Sequence, residues 1–221
     1  MIDHQALQLA LRTKLATLSV CTTGSISMSV ATGKYTRATG SFLTDGFKPG
    51  MEITPSGFSG TGNNTVCTIT EVDALTMSGN RTLTTESAAG GKTILVGQPS
   101  GFAVENVPYE PAAGSPFFEE QLPSGPTHQI TLGEFGWIEH DPLYVLQVHV
   151  PEGVGIGAPN AYADALIELF APRTALVLSN GDVARVRTGP GPFRSQIRQF
   201  RTGYATVSVT VPLRIHTANS I

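Results

Sequence analysis

Several groups of residues in this sequence have types and spacings that chemistry could use. Gly153-Val154-Gly155-Ile156-Gly157-Ala158 fits the Gly-x-Gly-x-x-Gly/Ala pattern between a strand and a helix. Glycines there let backbone N–H groups approach a pyrophosphate at a helix N-terminus. No acidic residue stands about twenty positions further on to hold a ribose, and no series of βαβ units surrounds the motif, so a plain strand-to-helix loop is expected. Glu139-His140-Asp141 and His149 have the side chains for acid–base or metal chemistry. A metal needs three or four convergent ligands, and no two histidines here have a ligand-like short spacing. Pro142 follows Asp141, which predicts a polar turn, and His149 reads as a half-exposed strand residue. Ser56-Gly57-Phe58-Ser59-Gly60 does not match Gly-x-Ser-x-Gly, and Cys21 and Cys67 read as core filler. No catalytic residue, cofactor site or metal site is expected.

The arginines are more informative. From Arg185 to Arg201 the chain carries Arg185, Arg187, Arg194, Arg198 and Arg201, interleaved with Phe193 and Phe200 around Gly189-Pro190-Gly191-Pro192. Three readings are open: contact with nucleic-acid phosphates, pairing with carboxylates of an adjacent subunit, or a solvated hairpin. The wider charge pattern bears on the choice. Residues 103–172 contain ten acidic side chains and no lysine or arginine, whereas residues 173–221 contain seven arginines against Asp182 alone. A subunit polarised in this way can dock its basic surface on the acidic surface of an identical neighbour, the head-to-tail contact from which rings are made. Folding of the two segments against each other inside one subunit is the other possibility. The candidate contact residues are Arg185, Arg187, Arg194, Arg198 and Arg201 on one side, and Glu119, Glu120, Glu139 and Asp141 on the other.

The elements that must position these residues follow from periodicity. Leu7, Leu11, Leu15 and Leu18 recur at helical spacing, with Asp3 as N-cap, and predict an amphipathic helix over residues 1–18. Residues 19–100 change character: sixteen threonines, many glycines, and five basic against five acidic residues. Short β-type runs (26–31, 41–43, 51–54, 65–72, 75–77, 92–96) alternate with turn signals such as Gly62-Asn63-Asn64 and Ala89-Gly90-Gly91, which predicts a small all-β barrel or sandwich inserted into another domain. Beyond Gly101, strands are expected at 102–106, 117–122, 137–150, 176–178, 183–187 and 204–215, with a helix from Pro159 to about Phe170. The expected fold is α+β: a mainly antiparallel sheet with two helices packed on it, plus the β-module. With charged residues at only 14%, hydrophobic residues at 40% and a net charge of −3, disorder is excluded. The longest apolar runs, such as Tyr144-Val145-Leu146, fall far short of the ~20 residues of a membrane span. Asp3, His4, Arg12 and Lys14 interrupt any secretory signal, so synthesis in the cytosol and reduced thiols are expected.

Outside the β-module the sequence resembles a family. The segments are the N-terminal helix, 104–111 (VENVPYEP), 116–123 (PFFEEQLP), 150–155 (VPEGVG), Ala163-Asp164 with Leu166 and Phe170, and 207–213 (VSVTVPL). Together they resemble the tail-terminator, or tail-completion, proteins of siphophages, over residues 1–18 and 101–221. The resemblance implies an α+β virion subunit that forms a hexameric ring, caps the tail tube and ends its polymerisation. It also implies partners: further copies of itself, the tail-tube protein and a head-completion or connector protein. It implies as well that DNA passes through the ring without sequence-specific binding and that assembly takes place in the host cytoplasm. No catalytic residue comes with that family. Tail-tube or connector subunit and carbohydrate-binding accessory protein are the alternatives. The block 19–100 departs from compact members of the family, and 36–50 looks similar to small β-modules of phage structural proteins.

Overall fold

A computed structural model describes residues 3–105, 107–131 and 136–218, with the backbone alone at Gln199, Phe200, Arg201 and Ala218. The N-terminal helix α1 (His4–Leu15) starts where Asp3 accepts the Ala6 N–H at 3.0 Å and buries Leu7, Leu11 and Leu15. Each buried leucine contributes about 2 kcal/mol of transfer free energy, so this stripe fixes the helix to the sheet below.

Seven strands follow: β1 (Ser19–Thr22), β2 (Ile26–Ala31), β3 (Lys34–Arg37), β4 (Glu52–Ser56), β5 (Cys67–Val72), β6 (Thr76–Gly79) and β7 (Glu86–Gly97). Six of them pair in the order β7-β2-β3-β6-β5-β4, and β4 pairs back to β7, so the sheet closes into a barrel with β1 added on β7. The expected strand at 41–43 is instead a turn, in which Phe42 packs edge-on against Phe47. The expected turn at Ala89-Gly90-Gly91 lies within β7 instead. Register shifts against β2 there, and Gly91 has φ 80°, so the glycines bend one long strand around the barrel rather than end it. Strands β1 and β3 were not expected; four residues are too few for periodicity to declare itself.

The second sheet is built on the C-terminal strand β17 (Tyr204–Ala218). On one side it pairs with β11 (Trp137–His140) and β12 (Leu143–Pro151), and on the other with β14 (Val183–Val186), β15 (Phe193–Arg194) and β16 (Arg198–Arg201). Beyond β12 come β9 (Phe117–Gln121) and then β8 (Gly101–Val104), the latter parallel; β13 (Ala175–Val177) flanks β14, and β10 (Thr127–Gln129) flanks β11. The single strand expected over 137–150 is thus two. Asp141-Pro142 breaks it, because proline cannot donate to the ladder.

Tyr144, Leu146, Val148 and Val150 of β12 and Val207, Val209 and Val211 of β17 face one way and are fully buried. Helix α2 (Gly157–Leu169) adds Tyr162 and Leu166 to that core, which continues without a break into Phe42, Phe47 and Ile53 of the barrel. The Tyr162 hydroxyl lies 3.2 Å from the Glu52 backbone N–H, which donates to it across the junction.

Candidate subunit-contact surface

Alternation places Arg185, Glu119 and Glu139 on the other face of the sheet. Ala184 and Val186 of β14 point into the core, so Arg185 points out, directly across from Arg214 of β17. The Arg214 guanidinium is 3.2 Å from Glu139 and 3.7 Å from Asp141; Arg187 is 3.3 Å from Asp141, and His216 is 3.0 Å from Glu139. Glu139 and His216 are opposite each other on β11 and β17. That hydrogen bond, with Arg214 nearby, holds the Glu139 carboxyl below the usual carboxylate range. Gly125 supports the cluster from behind: a Cβ there would run into the Asp141 carbonyl.

The nine candidates therefore divide. Arg187, Glu139 and Asp141 share this one cluster, and Arg194 pairs with Asp164 of α2 at 2.7 Å. Arg185 and Arg198 are exposed and make no ion pair with another described residue. The Arg201 side chain lies outside the described residues. Glu119 is half-buried, 3.4 Å from His149. Glu120, expected at a surface, is 1% exposed and faces the core beneath α1, which corrects that expectation. It accepts hydrogen bonds from Arg12, from Gln8 at 2.7 Å and from the Tyr144 hydroxyl at 3.2 Å. It ties the first helix to the sheet. Alternation explains the swap: in 117–121, Phe118 and Glu120 share the inward face, so a carboxylate is carried inside with its own guanidinium. Two residues of the outer surface were missed, Arg173 and Arg214, because only the register of β13, β14 and β17 brings them beside Arg185.

His149 is a second correction. It is 2% exposed, stacked on Phe117 at 4.3 Å between ring centres, with Nδ1 2.8 Å from the Thr206 hydroxyl. It belongs to a small core on the outer face with Ala103, Tyr109 and Tyr204. The glycine-rich segment forms a turn after β12, with Gly153 and Gly155 at positive φ, and α2 begins at Gly157. Burial pushes the Cys21 thiol up to about 12 and the Cys67 thiol to about 11, so neither is a thiolate at neutral pH. Among the described residues no His, Cys, Asp and Glu converge as metal ligands, and no helix is long and apolar enough to cross a membrane.

A mainly antiparallel sheet with two helices on one face, an attached barrel and a charged cluster on the other face define an α+β protein. The chain belongs to the phage tail terminator family, whose model, described as phage tail terminator protein, matches residues 88–213. It is a structural protein of phage tail completion, and the family is a structural one. The match begins inside β7, so this strand belongs both to the barrel and to the matched region. No curated protein matches the chain. A solved structure matches at 18% identity, covering 52% of this chain and 78% of that one with a TM-score of 0.41.

Proposed function

We propose that six copies of this chain close into a ring that caps the tail tube, stops its growth and joins it to the head-completion proteins, with DNA passing through the opening. The observation that carries this reading is the family match over 88–213. An arginine-lined cavity at β14 and β17 and an acidic groove at the β8 edge support it. The mechanism is steric: one face of the ring matches the last tube layer, and the other offers no surface for a further layer. Residues 1–18 and 101–221 form the ring body in this reading, and 19–100 is a peripheral inserted module. Of the nine candidate residues, the exposed Arg185 and Arg198 are the ones that meet a neighbour, while Arg187, Glu139 and Asp141 hold the contact surface in shape. The product is a virion component of the tail and neck, assembled in the host cytoplasm.

Electron microscopy of the purified chain, alone and mixed with tails lacking it, tests this. Closed rings, found at one end of tubes of uniform length, are expected. A chain that stays monomeric and never sits on tube ends overturns the reading, and long tubes without closed rings replace it with that of a tube subunit.

A further inference from the structure

Resting on the ring reading, and going beyond it to the atoms of the contact, we infer that a cavity among Arg173, Arg185, Arg187 and Arg214 receives a carboxylate of a second copy of this chain. The carboxylates are those of Glu105 and Glu110.

The cavity, of about 170 Å³, lies where β14 meets β17. Its size suits one carboxylate between guanidinium groups, which bind such anions in a planar, two-pronged geometry. Four cations line it, and among the described residues Glu139 and Asp141 are the carboxylates paired with them. Arg185 and Arg214 are direct cross-strand neighbours, an arrangement of like charges that destabilises a sheet unless an anion lies between them. The hydrogen bonding is also incomplete. Arg214 Nε is buried and within ion-pair distance of Glu139, yet it is not aligned to donate to a described acceptor. A partly satisfied polar cluster gains most from an added partner. Arg173 holds a left-handed backbone at φ 72°, fixed by its N–H donating to Val186 at 2.9 Å. Such a conformation is costly for a residue with a side chain, and here it turns a guanidinium toward the cavity.

The opposite end of the sheet supplies the anion. Strand β8 is paired only with β9, so its outer edge is open, and Glu105 and Glu110 just beyond it are exposed with no ion pair to another described residue. A groove along this edge is lined by Glu105 and Glu119 and by no lysine or arginine. The cavity and the acidic edge lie on opposite sides of β17, so a head-to-tail contact joins one to the other, and repetition of that contact closes a ring. The chain as a whole is acidic, at −3, which favours a carboxylate over a nucleic-acid phosphate as the occupant.

The test is the association of the full chain, measured by light scattering over a range of concentration and salt, with circular dichroism confirming that each variant is folded. Arg185→Glu and Glu110→Arg are each expected to raise the concentration for half-association by about tenfold or more, since each sets like charges against each other. Because each single variant carries one face that fits the other variant, an equimolar mixture of the two is expected to associate again in alternation. Wild-type rings matched by equally stable Arg185→Glu rings overturn this inference and leave the ring reading standing. A wild-type chain that stays monomeric even with tails overturns both. Retained rings together with lost retention of a double-stranded DNA fragment in Arg185→Glu assign the cavity to phosphate and overturn the carboxylate.

Discussion

The barrel and the ten-stranded sheet treat charge in opposite ways. In the barrel, Lys92 is fully buried. Its ammonium donates to the Met28 carbonyl at 2.7 Å, lies 2.7 Å from Glu86 and sits 4.7 Å from the centre of the Phe58 ring. Glu86 in turn accepts from the Ser59 and Gly60 N–H groups and from Asn63, so cation and anion are both enclosed in hydrogen bonds. Closure removes the barrel's sheet edges as well. The second sheet keeps open edges at β8 and β13, a cavity with more arginines than carboxylates, and, at Arg214 Nε, a buried donor with no aligned acceptor among the described residues. One region encloses its buried charges within itself, while the other leaves an excess of arginine around its cavity.

The largest effect is expected inside the barrel. Glu86→Gln strands a lysine that cannot reach water, and chemical denaturation is expected to report a loss of about 3 kcal/mol. A change near zero breaks the contrast. Glu120→Gln is expected to cost less, about 2 kcal/mol, because its partner Arg12 is 38% exposed and can turn to solvent while the buried Tyr144 hydroxyl keeps only an amide acceptor. Acid titration of thermal stability sharpens the comparison. The hydrogen bond from Lys92, aided by the Ser59 N–H, pulls the Glu86 carboxyl down to about 2. Its contribution is therefore complete above the ordinary carboxylate range and is lost as pH falls toward about 2. Glu139 is also depressed, so its contribution runs in the same direction, and Glu86→Gln is expected to flatten only the barrel's share. The smallest effect belongs to Arg194→Ala. Both it and Asp164 are exposed, and a loss of no more than about 0.5 kcal/mol is expected.

Much of this fold was legible beforehand because it rests on local rules. Leucines four apart marked α1, Asp3 capped it, and alternating valines from Val207 onward marked the spine of the sheet. Even charges and closely spaced turns marked the β-module. The misreadings share a cause. Gly90-Gly91 ends a strand in isolation but bends one when a partner strand, here β2, pairs with the residues before and after it. His149 has polar chemistry, yet the packing of Phe117 and Tyr204 around it decided its burial.

The chain by itself determined the separation of acidic and basic segments and most of the elements that carry them, because each depends on residues within a few positions of one another. Only the tertiary structure decided which charges are already neutralised. It enclosed Glu120 with Arg12 and set Arg187 beside Asp141, while it gathered Arg173, Arg185 and Arg214 from three separate segments around one cavity. An ion pair depends on distance in space, and strand register fixes that distance between residues that are far apart along the chain.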